Sequence, residues 1–320
     1  MSSPLILALP SKGRLKDQVE AWLADCGLAI QAAGGARGYA GTIEGLDAIQ
    51  VRFASAADIA TGIVAGELHL GVTGEDLLRE AAPTLDQTVM PLMALGFGRA
   101  DLVVAAPKSW IDVETMADVD EVAHQYLSRT GRRLRVATKY LSQTRAFFAA
   151  HHISDYRIVE SGGATEGAPA AGAAELIVDI TTSGATLAAN GLKVVGDGLI
   201  LRSQAILAAG LGAAWDAPGL DECRGLLSIL EARARGRRIA ALVWPAAQDK
   251  AARAAVSPFA HPGQAERANG ALVAQSDLFF AAGALAAARV GPVSVTNPAY
   301  VFEPGSEAAD QLTKAVTAIA

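Results

Sequence analysis

At 320 residues the chain is longer than one hydrophobic core organises, which predicts two or three domains of roughly 100–150 residues each. Although 51% of it is apolar, charged or polar residues break every apolar run before the roughly 20 residues that a bilayer span requires, so a soluble protein is expected. The formal charge of −6 offers nucleic acid no general attraction.

The first apolar run, residues 5–9, is followed rather than preceded by cations, Lys12 and Arg14. That is the wrong order for an export signal, and the run predicts a first strand. Leu15, Val19, Trp22, Leu23 and Cys26 then recur at helical spacing, with Gly27 as terminator. Similar strand–helix units are expected at 68–72 with a helix from Glu75, at 102–105 with a helical region after Trp110, and at 134–137 with a helix from Ser142. A strand at 156–159 leads through a Gly-rich turn and a small-residue helix at 169–174 into the strand Leu176-Ile177-Val178-Asp179. This alternation predicts an α/β fold with parallel strands covered by helices on both faces.

Composition breaks at Asp216-Ala217-Pro218-Gly219, where a domain boundary is expected. Beyond it, Leu220, Cys223, Leu226, Leu227 and Leu230 mark an amphipathic helix. It ends in Arg233, Arg235, Arg237 and Arg238, read as a solvated helix end with cations at the C-terminal dipole. A strand at 239–244, helix at 248–256, strand at 271–274, helix at 276–288 and strand at 293–295 suit a small ferredoxin-like α+β module, with room for a further strand in 257–269. Ser276-Asp277 reads as a helix cap. Cys26 and Cys223, lacking CxxC spacing and histidine neighbours, read as buried thiols of a reducing cytosol.

The most informative segment is Thr181-Thr182-Ser183-Gly184-Ala185-Thr186, directly after the strand that carries Asp179. Backbone N–H groups and hydroxyls of such a loop can converge on a phosphate dianion, with Gly184 allowing close approach. Asp179 would then lie beside the sugar and accept hydrogen bonds from ribose hydroxyls. An ordinary Ser/Thr-rich helix start accounts for the hexapeptide alone equally well.

The flanking sequence resembles the signature region of the ATP phosphoribosyltransferases. Gly163, Glu166, Ala168-Pro169, Gly172, Ala174-Glu175, Asp179, Ser183-Gly184-Ala185-Thr186 and Asn190-Gly191-Leu192 follow that family's pattern. Upstream, Lys12-Gly13-Arg14-Leu15, the stretch from Gly66 to Glu80, Gly96-Phe97-Gly98 and Arg135-Val136-Ala137-Thr138-Lys139-Tyr140 fit in order, so the resemblance covers roughly residues 4–210. The chain departs from the family at Ala164, where a serine is usual, at Ala60 for proline, at His69 for aspartate, and at Arg52, displaced to six positions before Asp58. Ala164 removes a possible substrate hydrogen bond; His69 reads as a packed or surface residue.

The resemblance implies a bilobal core like that of periplasmic binding proteins, with lobe I at 1–98 plus 188–215, lobe II at 99–187 and a regulatory domain at 220–320. It implies attack of adenine N1 of ATP on C1 of phosphoribosyl pyrophosphate, the first step of histidine biosynthesis, with Mg²⁺ as cofactor. Glu166, Asp179, Thr182, Ser183, Gly184, Ala185 and Thr186 would bind phosphoribosyl pyrophosphate, and Glu166 would also meet the metal. Lys12 and Arg14 would supply positive charge to the polyphosphate oxygens, and Arg14, Gly74 and Glu75 would bind ATP. Histidine as feedback inhibitor, a cytoplasmic location, and dimers assembling into hexamers are further expectations. A bilobal binding protein without catalysis is the alternative, and the intact phosphate loop speaks against it.

Overall fold

The computed structural model describes residues 4–33, 39–82, 84–261 and 268–319. The chain forms two units, Met1–Asp216 with Lys314–Ala320, and Ala217–Thr313. The boundary thus falls where composition broke, although Pro218 and Gly219 lie in the first turn of a helix.

The first unit begins with β1 (Leu5–Pro10), α1 (Gly13–Asp25), β2 (Ile30–Ala33), β3 (Ala40–Ile43), β4 (Leu46–Ala54) and α2 (Ala56–Val64). It continues with β5 (Leu70–Gly74), α3 (Glu75–Ala81), α4 (Leu85–Thr88), β6 (Val89–Ala94) and β7 (Ala100–Pro107). Then come α5 (Met116–Thr130), β8 (Leu134–Thr138), α6 (Leu141–Ala150), β9 (Tyr156–Glu160), β10 (Leu176–Thr181), α7 (Ala185–Ala189), β11 (Leu192–Ser203) and β12 (Ala205–Gly210). Local chemistry sets several ends: Gly27 adopts the left-handed conformation after α1 (φ 72), and Thr115 with Asp118 forms a capping box that starts α5.

Two sheets result, ordered β2-β3-β4-β1-β5-β12-β6 and β11-β7-β10-β8-β9. The chain crosses between them twice, from β6 to β7 and from β11 to β12, which makes two lobes. Neither sheet is wholly parallel. β4-β1-β5 and β10-β8-β9 are parallel, whereas β2-β3-β4 is a meander and β12, β6, β7 and β11 pair antiparallel. The four strands that carry the crossings, β6, β7, β11 and β12, are all paired antiparallel.

β11 pairs with β7 from Leu192↔Pro107 to Ser203↔Ala100, so residues 192–203 belong to the second lobe and not, as the segment 188–215 was expected to, to the first. Side-chain alternation is the same whichever sheet a strand joins, so the pattern of β11 does not by itself assign it to a lobe. No helix forms at 169–174; a 3-10 turn at Thr165–Gly167 is followed by turns, with Gly172 at φ 67. In the first lobe Ala8, Ile59, Ile63, Leu78 and Ile206 pack together; in the second, Leu102, Val104, Met116, Val136, Phe148, Leu176 and Val178 do. His69 is buried. Its Nδ1 accepts the Ile6 N–H at 3.2 Å, so Nε2 carries the proton and donates to the Ala214 carbonyl at 3.2 Å.

The second unit contains α8 (Ala217–Gly236), β13 (Ile239–Val243), α9 (Asp249–Val256), β14 (Gly270–Ala274), α10 (Leu278–Ala287), β15 (Ser294–Thr296) and most of α11 (Glu307–Ile319). β13 lies between β14 and β15, antiparallel to both. An antiparallel bridge joins Ala260 to Val273, so residue 260 stands beyond β14. The order β15-β13-β14-Ala260, with α9 and α10 in the two crossovers, is the βαββαβ arrangement of a ferredoxin-like module, its second strand reduced to one bridge. Residues 262–267 of the segment expected to hold a further strand lie outside the described residues.

Two local expectations change. Arg233 and Arg235 donate to the carbonyls of Ala299 and Val301 at 2.9 and 3.0 Å, so they tie down the segment before α11 rather than forming a solvated end. Ser276 donates to the Asp277 carboxylate at 3.2 Å, and α10 has no side-chain cap. Cys26 and Cys223 are buried and lie outside any disulfide, and burial pushes Cys223 up to about 12.

Candidate active site

β8 and β10 run parallel as neighbours (Leu176↔Val136, Ile177↔Ala137), so the turns after both leave the sheet at the same edge. Ligands of open α/β sheets bind outside such carboxyl ends. Together with the segment after β9, which is parallel to β8, these turns enclose a cavity of about 450 Å³ lined by Lys139, Thr165, Glu166, Asp179, Thr182, Ser183 and Thr186, with Ala164 and Ala185 also on its wall. Of the sequence-derived phosphoribosyl residues, Glu166, Asp179, Thr182, Ser183, Ala185 and Thr186 therefore meet in one place.

Gly184 turns the loop beneath them at φ 72, with its N–H donated to Thr181 Oγ1 at 2.9 Å. A Cβ there would meet nothing within 4 Å, so conformation and not space calls for glycine. The Thr182 hydroxyl donates to the Arg99 carbonyl at 3.4 Å, holding the loop against the start of β7. α7 has only five residues, so hydroxyls and local N–H groups, rather than a long helix dipole, are what this loop offers an anion.

Asp179, partly buried, lines the cavity, and its Oδ1 accepts the Ile180 N–H at 2.8 Å. Burial holds its carboxyl above the ordinary range; the charge of Glu166 adds to this, while the Ile180 N–H and the Lys139 ammonium oppose it. The cavity thus holds two carboxyls and one ammonium. Lys139 was not singled out from the sequence, although it lies in a motif already matched and directly after a strand end, which is the signal that could have found it.

The first-lobe candidates stand elsewhere. β1 and β5 are parallel neighbours, and their carboxyl ends carry Lys12 with Arg14 and Gly74 with Glu75 respectively. Lys12 and Arg14 are exposed, and neither pair lines the cavity. The Glu75 carboxylate is held by Arg79 at 2.7 Å, and a Cβ on Gly74 would run into Asp76 Oδ1. Arg52 is exposed on β4, opposite Ala8 and Ala40. Ala164 is itself in the left-handed conformation (φ 50). Glu175, the acid of the matched Ala-acid pair, binds the Arg135 guanidinium at 2.6 Å and accepts from Tyr126 Oη at 3.1 Å, a structural role.

Asp76 joins the lobes. Its Oδ2 accepts the Tyr140 hydroxyl at 2.5 Å and its Oδ1 the Ser203 hydroxyl at 2.6 Å, while Gln143 Nε2 donates to its carbonyl at 2.9 Å. Glu80 accepts the N–H groups of Ser142 and Gln143 at 2.8 and 3.1 Å, capping α6 from the other lobe. Burial and the neighbouring Asp76 push the Tyr140 phenol far up, so it remains a neutral donor. Tyr140 follows Lys139 in the chain, and this network therefore sets the turn that presents the lysine.

Residues 55–228 match the model of the HisG family, described as ATP phosphoribosyltransferase. Over 316 residues, 99% of both chains, the sequence is 64% identical to the ATP phosphoribosyltransferase of Caulobacter vibrioides. It is 55% identical over 238 residues to that of Rhodopseudomonas palustris, covering 74% of this chain and 73% of the other. Among solved structures, a chain of the ATP phosphoribosyl transferase (HisG:HisZ) complex from Thermotoga maritima aligns with a TM-score of 0.55 and 25% identity, over 71% of this chain and 96% of that one.

Proposed function

The chain belongs to the ATP phosphoribosyltransferase family, and we infer from its geometry that phosphoribosyl pyrophosphate is held in the cavity beside residues 182–186 while adenine N1 of ATP displaces pyrophosphate from C1. The enzyme is a pentosyltransferase of the first step of histidine biosynthesis. One observation carries the assignment of the cavity: the parallel strands β9, β8 and β10 bring Glu166, Lys139, and Asp179 with the Thr/Ser loop round one space.

The chemistry needs no covalent nucleophile. The loop takes the 5′-phosphate, and Asp179, two residues earlier on a rigid strand, accepts the ribose hydroxyls, so C1 is fixed relative to the sheet. Lys139 offsets the charge of the bound anion and of the two carboxyls. Lys12 and Arg14, exposed at the end of β1, supply further cation to polyphosphate oxygens, and Gly74 and Glu75 form the nucleotide side; their place at adjacent strand ends supports this reading.

Among the described residues no cluster of three metal-binding side chains occurs. Glu166 and Asp179 nevertheless suit Mg²⁺, which takes one or two carboxylates and completes its shell with substrate oxygens and water. When bound it would neutralise pyrophosphate charge. The test of the whole reading is direct: protein, ATP, phosphoribosyl pyrophosphate and Mg²⁺ with pyrophosphatase should yield the N1 adduct. No adduct would refute it. The full-length identity to an enzyme does not favour a binding protein without catalysis.

The ferredoxin-like unit we assign to feedback control by histidine, supported by its separation from the core as a unit of its own. Histidine should lower activity, and removal of the region after Pro218 should abolish that response; indifference to histidine in both proteins would refute the assignment. Dimers building a hexamer are supported by apolar side chains exposed on this unit, Phe279 at 85% and Phe280 at 70%. No helix among the described residues is long and apolar enough to cross a membrane, and the two cysteines are buried outside any disulfide; a cytoplasmic location is part of this reading.

A further inference from the structure

A second cavity, of about 480 Å³, adjoins the first and shares Ala100, Thr181 and Thr182 with it. Its remaining walls come from Arg99, Asp101, Arg202, Ser203 and Gln204, at the two crossings between the lobes. The strand register explains why these meet. β11, β7 and β10 are consecutive in their sheet, and Arg202, Asp101 and Thr181 lie opposite one another across them. Arg99 precedes β7, and its carbonyl is where Thr182 is anchored.

The two cavities differ in charge. The first holds two carboxyls to one ammonium, whereas the second holds two guanidiniums to one carboxylate. Neither guanidinium is engaged by a carboxylate or carbonyl among the described residues, even though Arg202 faces Asp101 across the strands. An arginine without a protein partner beside a cavity is available for bidentate binding of phosphate oxygens. A 5′-phosphate in the first cavity already uses its cation, so the remaining phosphates of the reactants need positive charge elsewhere.

We propose that the cavity between Arg99 and Arg202 is a polyphosphate subsite, which takes a diphosphate or triphosphate chain while the adjoining cavity holds the phosphoribosyl group. The proposal rests on the phosphoribosyl reading of that adjoining cavity. Two sources share this chemistry, the pyrophosphate leaving C1 and the triphosphate of ATP.

Calorimetric titration of the full-length protein with inorganic pyrophosphate, and separately with ribose 5-phosphate, tests it. Arg202→Gln and Arg99→Gln should each weaken pyrophosphate binding about 10- to 100-fold, the worth of a charged hydrogen-bonded contact, and leave ribose 5-phosphate binding unchanged. Thr186→Ala should do the reverse. Pyrophosphate binding equal in wild type and both arginine variants would overturn the subsite, as would no binding to wild type. Ribose 5-phosphate binding indifferent to Thr186→Ala would instead remove the loop assignment while the arginine result stood. Both arginines are exposed, so the variants should melt with the wild type; should one fail to fold, the other decides. A rise confined to the KM for ATP identifies the triphosphate as occupant; a rise confined to the KM for phosphoribosyl pyrophosphate, with weaker product inhibition by pyrophosphate, identifies the leaving group.

Discussion

Replacing Tyr140 with phenylalanine deletes one oxygen from the contact that joins the lobes. Tyr140 is 0% and Asp76 6% exposed, so no water can take the place of the lost donor. The ring is kept and no cavity opens, which leaves a single term: a charged hydrogen bond of 2.5 Å to Asp76 Oδ2. Such bonds contribute about 1.5–3 kcal/mol. For a unit of this size about 2–4 °C of melting temperature corresponds to each kcal/mol, so calorimetry should show the core transition falling by about 3–12 °C. Ser203→Ala removes the partner of the other carboxylate oxygen, and the double variant should show coupling of about 0.5–3 kcal/mol, because both hydroxyls serve one charge. Tyr140→Phe should also raise the KM for phosphoribosyl pyrophosphate, since the turn that presents Lys139 loses its anchor. A melting temperature within about 1 °C of wild type would refute this account of the network.

Asp179→Asn should abolish ribose recognition yet stabilise the protein at neutral pH. The folded carboxyl ionises above its ordinary value of 3.8, so its contribution to stability is complete below that value and is lost as pH rises through the raised one. The gain in melting temperature should therefore shrink on acidification, and a gain independent of pH would contradict the burial of this charge. Thr186→Ala should raise the KM for phosphoribosyl pyrophosphate by about 10-fold, the loss of one hydrogen bond to an anion, with melting unchanged; steady-state kinetics at saturating ATP decide it. Gly184→Ala places a side chain at φ 72 in open space, so it should cost about 1–2 kcal/mol of backbone strain and weaken phosphate binding more than stability, as calorimetry with ribose 5-phosphate would show. Undiminished stability in that variant would mean the loop is not held in the left-handed conformation.

Much of this protein was legible because it depends on residues close together in the chain. The helical spacing of Leu15, Val19 and Leu23, the strand at Leu176–Thr181 and the break at 216 all appear where expected. So does the cluster of Asp179 with the Thr/Ser loop, since a strand and the turn that follows it cannot be far apart. The failures share a cause too. The 169–174 segment has helix-forming alanines, but Gly172, in the left-handed conformation, and Pro169 favour turns once it packs as a loop. His69 could not be placed as packed or exposed until Ile6 and Ala214 were seen at its two nitrogens.

Local residue order set the alternation of elements, the Thr/Ser loop, the acid two residues before it and the existence of a separate C-terminal module. Tertiary structure decided which sheet β11 joins, that Lys139 faces Asp179 and Glu166, that Asp76 fastens one lobe to the other, and that Arg99 and Arg202 open on one cavity. Local propensity reaches only a few residues along the chain, whereas each of these contacts is set by strand register between segments tens of residues apart, and residue spacing carries no record of the partner strand.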